Sequence, residues 1–316
     1  MPDRTGGAAA APLLHIGYHK TATSWLQERL FQDAAGCFVS PWSRAEIVER
    51  FIRVNAFQFD PTPARAWFSE GIAAALGRGL VPVLSHEQLA GNAHSGGHNS
   101  KANADRLGAV LPGARVLIVI REQRSMVVSV YKQYVRACGV ASIERYMHPP
   151  RRGNDRGIPL FDAAFLEYHH LIGYYRGLFG DQNVLVLPFE AFQRDAARFV
   201  DDVVAFAGAT SPRALCFGAV NSTISAASLA LKRRVNMVLV RDALNPLAPV
   251  DSLRVAASVK EGFDRADRFV PASLRRRSDE RLRRYVGDEL AGRYRDSNRV
   301  TAALTGVDLG AYGYQV

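Results

Sequence analysis

A lysine followed by hydroxyl side chains lies in a short polar segment near the start of the chain. Residues 19–24 read His-Lys-Thr-Ala-Thr-Ser, between an apolar run and an amphipathic stretch. A helix that begins at such a turn presents unpaired backbone N–H groups and the positive end of its dipole, which together suit a phosphate. Lys20 adds a positive charge, and Thr21, Thr23 and Ser24 add hydroxyl donors. The segment predicts an anion-binding loop, with a Ser/Thr cap of an ordinary helix as the alternative.

An arginine and a serine eight residues apart form a second candidate anion site. Arg121 follows the apolar run at residues 115–120, and Ser129 lies on the helix predicted next. Ligands of open α/β sheets bind at the carboxyl ends of parallel strands, where Arg121 is placed. The two side chains could therefore hold one phosphate between them. Taken singly, Arg121 is an ion-pair partner on the surface as often as it is a ligand.

The elements that position these residues alternate along the chain. The predicted strands are residues 13–18, 79–84, 115–120 and 183–187, and the predicted helices are residues 23–31, 123–137 and 196–207. Apolar strands separated by helices indicate a parallel sheet that is covered on both faces. We predict one α/β domain, with a central parallel sheet flanked by helices, over residues 13–316. Its C-terminal section beyond residue 221 is helical and basic, and residues 1–12 form a disordered N-terminus.

Composition narrows the function classes without selecting one. The formal net charge is +10 and the sequence pI is about 9.8, which favours anionic ligands. We interpret the arginine-rich residues 275–284 as a solvated helix face, with an anion-binding surface as the alternative. Three widely spaced cysteines, expected to be buried, fit the reducing cytoplasm. No apolar stretch approaches the length of a membrane span.

Together the two motifs resemble those of the sulfotransferases that use 3′-phosphoadenosine 5′-phosphosulfate (PAPS), a family with a P-loop NTPase-like fold. Its members carry a P-K-[ST]-G-T-[TS] loop after the first strand and an Arg-x7-Ser pair. The matching residues are Lys20, Thr21, Thr23 and Ser24 in the loop, and Arg121 and Ser129 in the pair. His19 and Ala22 replace the usual Pro and Gly, and Ala22 requires a turn that tolerates a Cβ atom. The resemblance implies that residues 19–24 hold the 5′-phosphosulfate and that the pair holds the 3′-phosphate.

The resemblance also implies a mechanism. Sulfuryl transfer is an in-line displacement in which positioning and charge stabilisation dominate, and no metal is expected. Lys20 would neutralise the charge that develops on the leaving oxygen. His86 or Glu87, after the second predicted strand, would accept the acceptor's proton. The alternative is that one of these two residues serves only to orient the other. A saccharide or glycolipid hydroxyl is the expected acceptor, ahead of small metabolites and protein tyrosine.

Two other function classes remain as alternatives. A P-loop nucleotide kinase also binds phosphate between a strand and a helix, but its G-x-x-x-x-G-K-[ST] order is missing here. A non-catalytic anion- or nucleic-acid-binding protein fits the charge but leaves the ordered pair of motifs unexplained. His94 and His98 flank two glycines, yet no cysteine or paired motif completes a zinc site. We therefore expect neither a metal nor a nucleic-acid partner.

Overall fold

The computed structural model describes residues 11–149, 161–212, 215–218, 224–238 and 253–316. Most of the predicted disordered N-terminus, residues 1–10, therefore lies outside the described residues. Within the described ranges, no helix has both the length and the apolar character that crossing a membrane requires.

Five parallel strands form one sheet in the order β2-β3-β1-β4-β5. They are β1 Leu13–His15, β2 Phe38–Val39, β3 Val81–Ser85, β4 Arg115–Ile120 and β5 Val184–Pro188. The predicted parallel α/β architecture is confirmed. Sequence analysis missed β2, because two residues at the edge of a sheet leave no periodic signal.

Helices connect the strands and cover the sheet. The α-helices of the described residues are α1 Thr23–Trp25, α2 Arg44–Ile47, α3 Pro61–Leu76, α4 Ser100–Val110, α5 Gln123–Arg136, α6 Ile143–Met147, α7 Tyr168–Phe179, α8 Phe189–Arg194, α9 Ala196–Ala207, α10 Ala226–Asn236, α11 Leu253–Ala266, α12 Ala272–Glu289 and α13 Arg295–Thr305. After Trp25, α1 continues as a π-helical turn over Leu26–Leu30. Gly208 ends α9 in the left-handed conformation.

The interior strand β4 shows why the sheet is buried on both faces. Val116 and Ile118 belong to a core that also contains side chains of α3, α4, α5 and α7. Leu117 and Val119 belong to a second core, beneath α1 and α9. Successive side chains of a strand point to opposite faces, so an unbroken apolar run supplies both cores.

Pro82 lies in the interior strand β3. Proline is unusual in such a position, because it has no backbone N–H group to donate to a neighbouring strand. It immediately precedes the Leu13–Val83 pair at which β1 and β3 begin to pair. On its other side, β3 pairs with the two-residue strand β2. The proline therefore costs the sheet little, because the β1 ladder starts after it.

The C-terminal helices pack on α5. Both α10 and α12 contact α5, and α13 contacts α7. Leu282 and Val286 are buried on one side of α12, whereas Arg276 and Arg283 on the same helix are exposed.

Among the cysteines, Cys37 and Cys138 are buried as expected, but Cys216 is exposed.

Candidate active site

The first strand leads directly into the predicted anion-binding loop. The N–H groups of Ile16 and Tyr18 donate to the carbonyls of Leu117 and Val119 at 3.1 and 3.2 Å, extending the pairing of β1 with β4. The loop therefore leaves from the carboxyl edge of the sheet, where ligands of this architecture bind.

The loop turns through two residues in the left-handed conformation. The φ angle is 66° at Lys20 and 60° at Ala22. The fully buried hydroxyl of Thr21 donates to the carbonyl of Tyr18, so it braces the loop and does not face outward. Ala22 precedes α1 and supplies no side-chain cap. The first backbone N–H groups of α1 are thus left without a side-chain acceptor.

A cleft of about 1010 Å³ lies at this edge of the sheet. It brings the two sequence motifs together, since its lining includes His19, Lys20, Ala22, Thr23 and Ser24 as well as Arg121 and Ser129. Glu87 also lines the cleft, whereas His86 and Thr21 do not.

Arg121 joins the two motifs. Its Nη1 donates to the backbone carbonyl of Lys20 at 2.9 Å, and its Nε donates to the hydroxyl of Ser125 at 3.1 Å. Its guanidinium carbon lies 4.8 Å from the centre of the Phe189 ring. The Tyr168 hydroxyl donates to the Arg121 carbonyl at 2.5 Å. These contacts fix the guanidinium at the end of β4.

Charge accumulates around Lys20. Burial lowers the pKa of its ammonium group, the positive charges of Arg136 and Arg121 lower it further, and Glu87 opposes them. A cation whose pKa is lowered by neighbouring cations is stabilised when an anion binds beside it. The electrostatics of the cleft therefore favour an anionic ligand.

Buried polar atoms without partners gather around this cleft. In the part of the chain that the structure describes, the cleft-lining residues His19, Thr23, Gln133 and Glu87 each contain one, namely Nε2, Oγ1, Oε1 and Oε2. A buried polar group without a hydrogen bond is rare and calls for an explanation. A polar ligand in the cleft provides one.

Glu87 is held by an ion pair that sequence analysis did not find. Its Oε1 lies 2.5 Å from Nη2 of Arg44, and Nη1 of Arg44 donates to Oε1 of Gln27 at 2.5 Å. Burial raises the pKa of the Glu87 carboxyl, but the hydrogen bond from Arg44 and the charges of His86 and Arg44 outweigh burial and lower it to about 2. Glu87 is therefore a carboxylate near neutral pH, and its hydrogen bond with Arg44 reduces its basicity.

His86 is turned away from the cleft. Its side chain is 3% exposed, and its Nδ1 accepts a hydrogen bond from the backbone N–H of Gln88 at 3.1 Å. Burial lowers the pKa of its imidazole to about 4. In this position His86 caps the short 3-10 helix Glu87–Ala90 and so supports the backbone that carries Glu87.

An aromatic wall completes the cleft and was also missed from sequence. Trp25, Phe189, Phe192 and Phe217 line it. The rings of Trp25 and Phe217 are nearly parallel, with centroids 5.4 Å apart. Such flat apolar faces suit a planar heterocycle. Only Trp25 is close in sequence to a recognisable motif.

His94 and His98, the two histidines that flank the glycine pair, do not line the cleft. Nδ1 of His94 lies 3.0 Å from the Tyr146 hydroxyl, and burial lowers the pKa of the His94 imidazole to about 4. His98 is exposed. Among the described residues, no group of three or more His, Cys, Asp or Glu side chains is arranged to hold a metal ion.

Comparison with known proteins gave structural likenesses only. No protein-family model and no curated protein matches the sequence. The chain is similar to a sulfotransferase from Alicyclobacillus acidocaldarius, with a TM-score of 0.48 and 18% identity over 79% of this chain and 100% of that one. It is also similar to mouse sulfotransferase SULT7A1 complexed with PAP, with a TM-score of 0.27 and 14% identity over 93% of this chain and 89% of the other. Because both TM-scores are below 0.5, the case for a function rests on the cleft itself.

Proposed function

We propose that this protein is a PAPS-dependent sulfotransferase that transfers a sulfuryl group to a hydroxyl of a saccharide or glycolipid. The observation that carries the proposal is the hydrogen bond from Arg121 to the Lys20 carbonyl. It joins two anion-binding motifs, which lie far apart in sequence, across one cleft. A donor with two separate phosphate groups matches such an arrangement, whereas a single-phosphate ligand leaves one motif unused.

The donor would lie along the cleft from the loop to α5. Its 5′-phosphosulfate would bind Lys20, the hydroxyls of Thr23 and Ser24, and the first N–H groups of α1. Its 3′-phosphate would bind Arg121 and Ser129. His19 and Ala22 contribute to the wall of the loop, and the Thr21 hydroxyl holds the loop in shape.

The purine base of the donor would lie against the aromatic wall. Trp25 and Phe217 present the most nearly parallel pair of rings in that wall. Stacking of a base on aromatic side chains contributes about 1–3 kcal/mol per base and does not depend on a particular hydrogen-bond pattern. The phosphates would therefore supply the specificity and the rings much of the affinity.

In the reaction, the acceptor oxygen forms a bond to sulfur while the bond from sulfur to the bridging oxygen breaks. The acceptor's proton passes to Glu87, and 3′-phosphoadenosine 5′-phosphate (PAP) leaves with its new charge stabilised by Lys20. Glu87 is preferred to His86 because it lines the cleft. The hydrogen bond from Arg44 lowers the pKa of Glu87, so its carboxylate is ionised and able to accept the proton.

Polar residues beside Arg44 support a saccharide acceptor. Gln32, Ser40 and Ser43 line this part of the cleft together with Trp42. Uncharged hydrogen-bonding groups of this kind suit the hydroxyls of a sugar ring. A charged or fully apolar acceptor matches this lining less well.

The proposal extends to the whole domain. One apolar core contains residues from Leu14 to Tyr314, which supports a single sulfotransferase domain over residues 13–316. The sparse cysteines support a cytoplasmic location.

The test is direct. Sulfur-labelled PAPS is incubated with the protein and a panel of saccharides, glycolipids, phenols and tyrosine peptides, with and without EDTA. Labelled saccharide or glycolipid product, formed equally well with EDTA, supports the proposal. Phosphoryl transfer from ATP that requires Mg²⁺, without sulfuryl transfer from PAPS, would instead support the kinase alternative.

A further inference from the structure

A second groove, of about 570 Å³, lies on the C-terminal helices between α10 and α12. Its floor is apolar and includes Leu229 of α10 with Leu274, Leu282 and Tyr285 of α12. Leu282 is 7% exposed, whereas Leu274 is 50% exposed. Nearby in sequence, Phe269 is 80% exposed. The groove is thus an apolar depression that opens to solvent.

Three arginines line this groove. Arg277 and Arg281 lie four residues apart on one face of α12, and Arg233 approaches from α10. Among the described residues, none of the three has a carboxylate within 4.0 Å. Of the described residues that line the groove, Glu144 is the one acid. Hydrogen bonds from Ser142 and from the backbone, together with the charge of Arg233, lower its pKa. The lining therefore keeps an excess of positive charge.

We infer that this groove binds the anionic phospholipid of a membrane surface. Guanidinium groups pair with phosphate through two parallel hydrogen bonds, and they lie here at the rim of an apolar floor. An amphipathic helix with arginine and exposed leucine binds a bilayer by inserting its apolar residues between headgroups. A free phosphate or a nucleic acid would use the arginines but would leave Leu274 exposed to water. The inference is independent of the reaction proposed above.

Vesicle flotation tests the inference. The full-length protein is mixed with vesicles of phosphatidylcholine alone, or of phosphatidylcholine with phosphatidylglycerol. We expect binding to the anionic vesicles and not to the neutral ones. Arg277→Glu combined with Arg281→Glu is expected to weaken that binding at least about tenfold, because each arginine near an anionic surface contributes to attraction.

Arg276 and Arg283 provide the matched control. Both lie on α12, about half a turn from the face that lines the groove, and both are exposed. Changing both to Glu alters the net charge of the protein by the same amount. We expect this control to weaken binding far less than the groove variant does. Equal losses in the two double variants would mean that overall charge is responsible, and would overturn the groove assignment.

A third variant tests the apolar part of the groove. Leu274→Ser is expected to weaken binding to anionic vesicles several-fold while leaving PAP binding and the thermal unfolding midpoint unchanged. Binding that is insensitive to Leu274→Ser, or competition by millimolar inorganic phosphate, would show a site for a soluble anion and would overturn the inference. Failure of the unaltered protein to float with anionic vesicles would overturn it as well. If Arg277→Glu/Arg281→Glu does not fold, Arg277→Gln/Arg281→Gln makes the same comparison against Arg276→Gln/Arg283→Gln.

Discussion

Nη1 of Arg121 donates a hydrogen bond to the backbone carbonyl of Lys20 across 2.9 Å. This contact connects the carboxyl end of β4 to the loop that follows β1. It also places two positive charges close enough that Arg121 contributes to lowering the pKa of the Lys20 ammonium group. The two candidate anion-binding motifs therefore form one positively charged site.

Ser129→Ala should reduce the affinity for PAP about tenfold or more and leave the affinity for AMP unchanged. A hydrogen bond to a charged group contributes about 1.5–3 kcal/mol, and only PAP has the 3′-phosphate that Ser129 would contact. Isothermal titration calorimetry with both nucleotides measures the difference. Ser69→Ala is the control, because Ser69 is exposed on α3 and does not line the cleft. An equal loss for both nucleotides would mean that Ser129 does not contact the 3′-phosphate.

Ala22→Gly should raise the free energy of unfolding by about 1 kcal/mol, because a side chain at φ 60° is strained and glycine is not. Chemical denaturation measures the change. Ala66→Gly is the control: Ala66 is exposed within α3, where the same substitution should lower stability by about 1 kcal/mol. Destabilisation by both substitutions would contradict the left-handed conformation of Ala22.

Arg44→Gln should move the acid limb of the turnover profile to higher pH. Arg44 holds the pKa of Glu87 at about 2, and burial alone raises it. A base loses activity as the pH falls through its pKa, so removing Arg44 brings this loss into a higher pH range. Turnover measured across the acidic range, with saturating donor, shows the shift. Arg53→Gln, which breaks the exposed pair of Arg53 with Glu49, is the control. An unchanged acid limb would mean that Glu87 is not the base.

Glu87→Gln should lower turnover by at least about a hundredfold, because a general base contributes about 10²–10⁴-fold. His86→Asn should lower turnover clearly less, since His86 is buried and bonds to the backbone of Gln88. Lys20→Ala should also lower turnover, whichever residue is the base. Single-turnover kinetics compare the three variants. Near-full activity of both the Glu87 and His86 variants would place the base elsewhere in the cleft.

The local parts of the site were predictable from sequence, and the long-range parts were not. The loop at residues 19–24 and the Arg121–Ser129 spacing are short-range patterns that follow from strand–turn–helix geometry. The pairing of Arg44 with Glu87 joins residues 43 positions apart, and no local pattern predicts it. It depends on β2, a strand of two residues. Similarly, Phe217 reaches Trp25 only through the folded chain.

The choice between His86 and Glu87 illustrates the same limit. Both residues directly follow β3 and both can accept a proton, so their types and positions do not separate them. The fold separates them by direction, because Glu87 lines the cleft while the side chain of His86 is buried. The direction in which a side chain points after the end of a strand depends on the local backbone turn. Composition and periodicity do not determine that turn.

The central claim is that the cleft binds a nucleotide through two separate phosphates. Equilibrium binding of PAP, AMP and ATP to the unaltered protein tests it most directly. Because Arg121 and Ser129 would contact only the 3′-phosphate, PAP should bind at least about tenfold more tightly than AMP. PAP should also bind more tightly than ATP, whose charges lie on one chain of phosphates. Equal affinity for PAP and AMP, or a preference for ATP, would contradict the account.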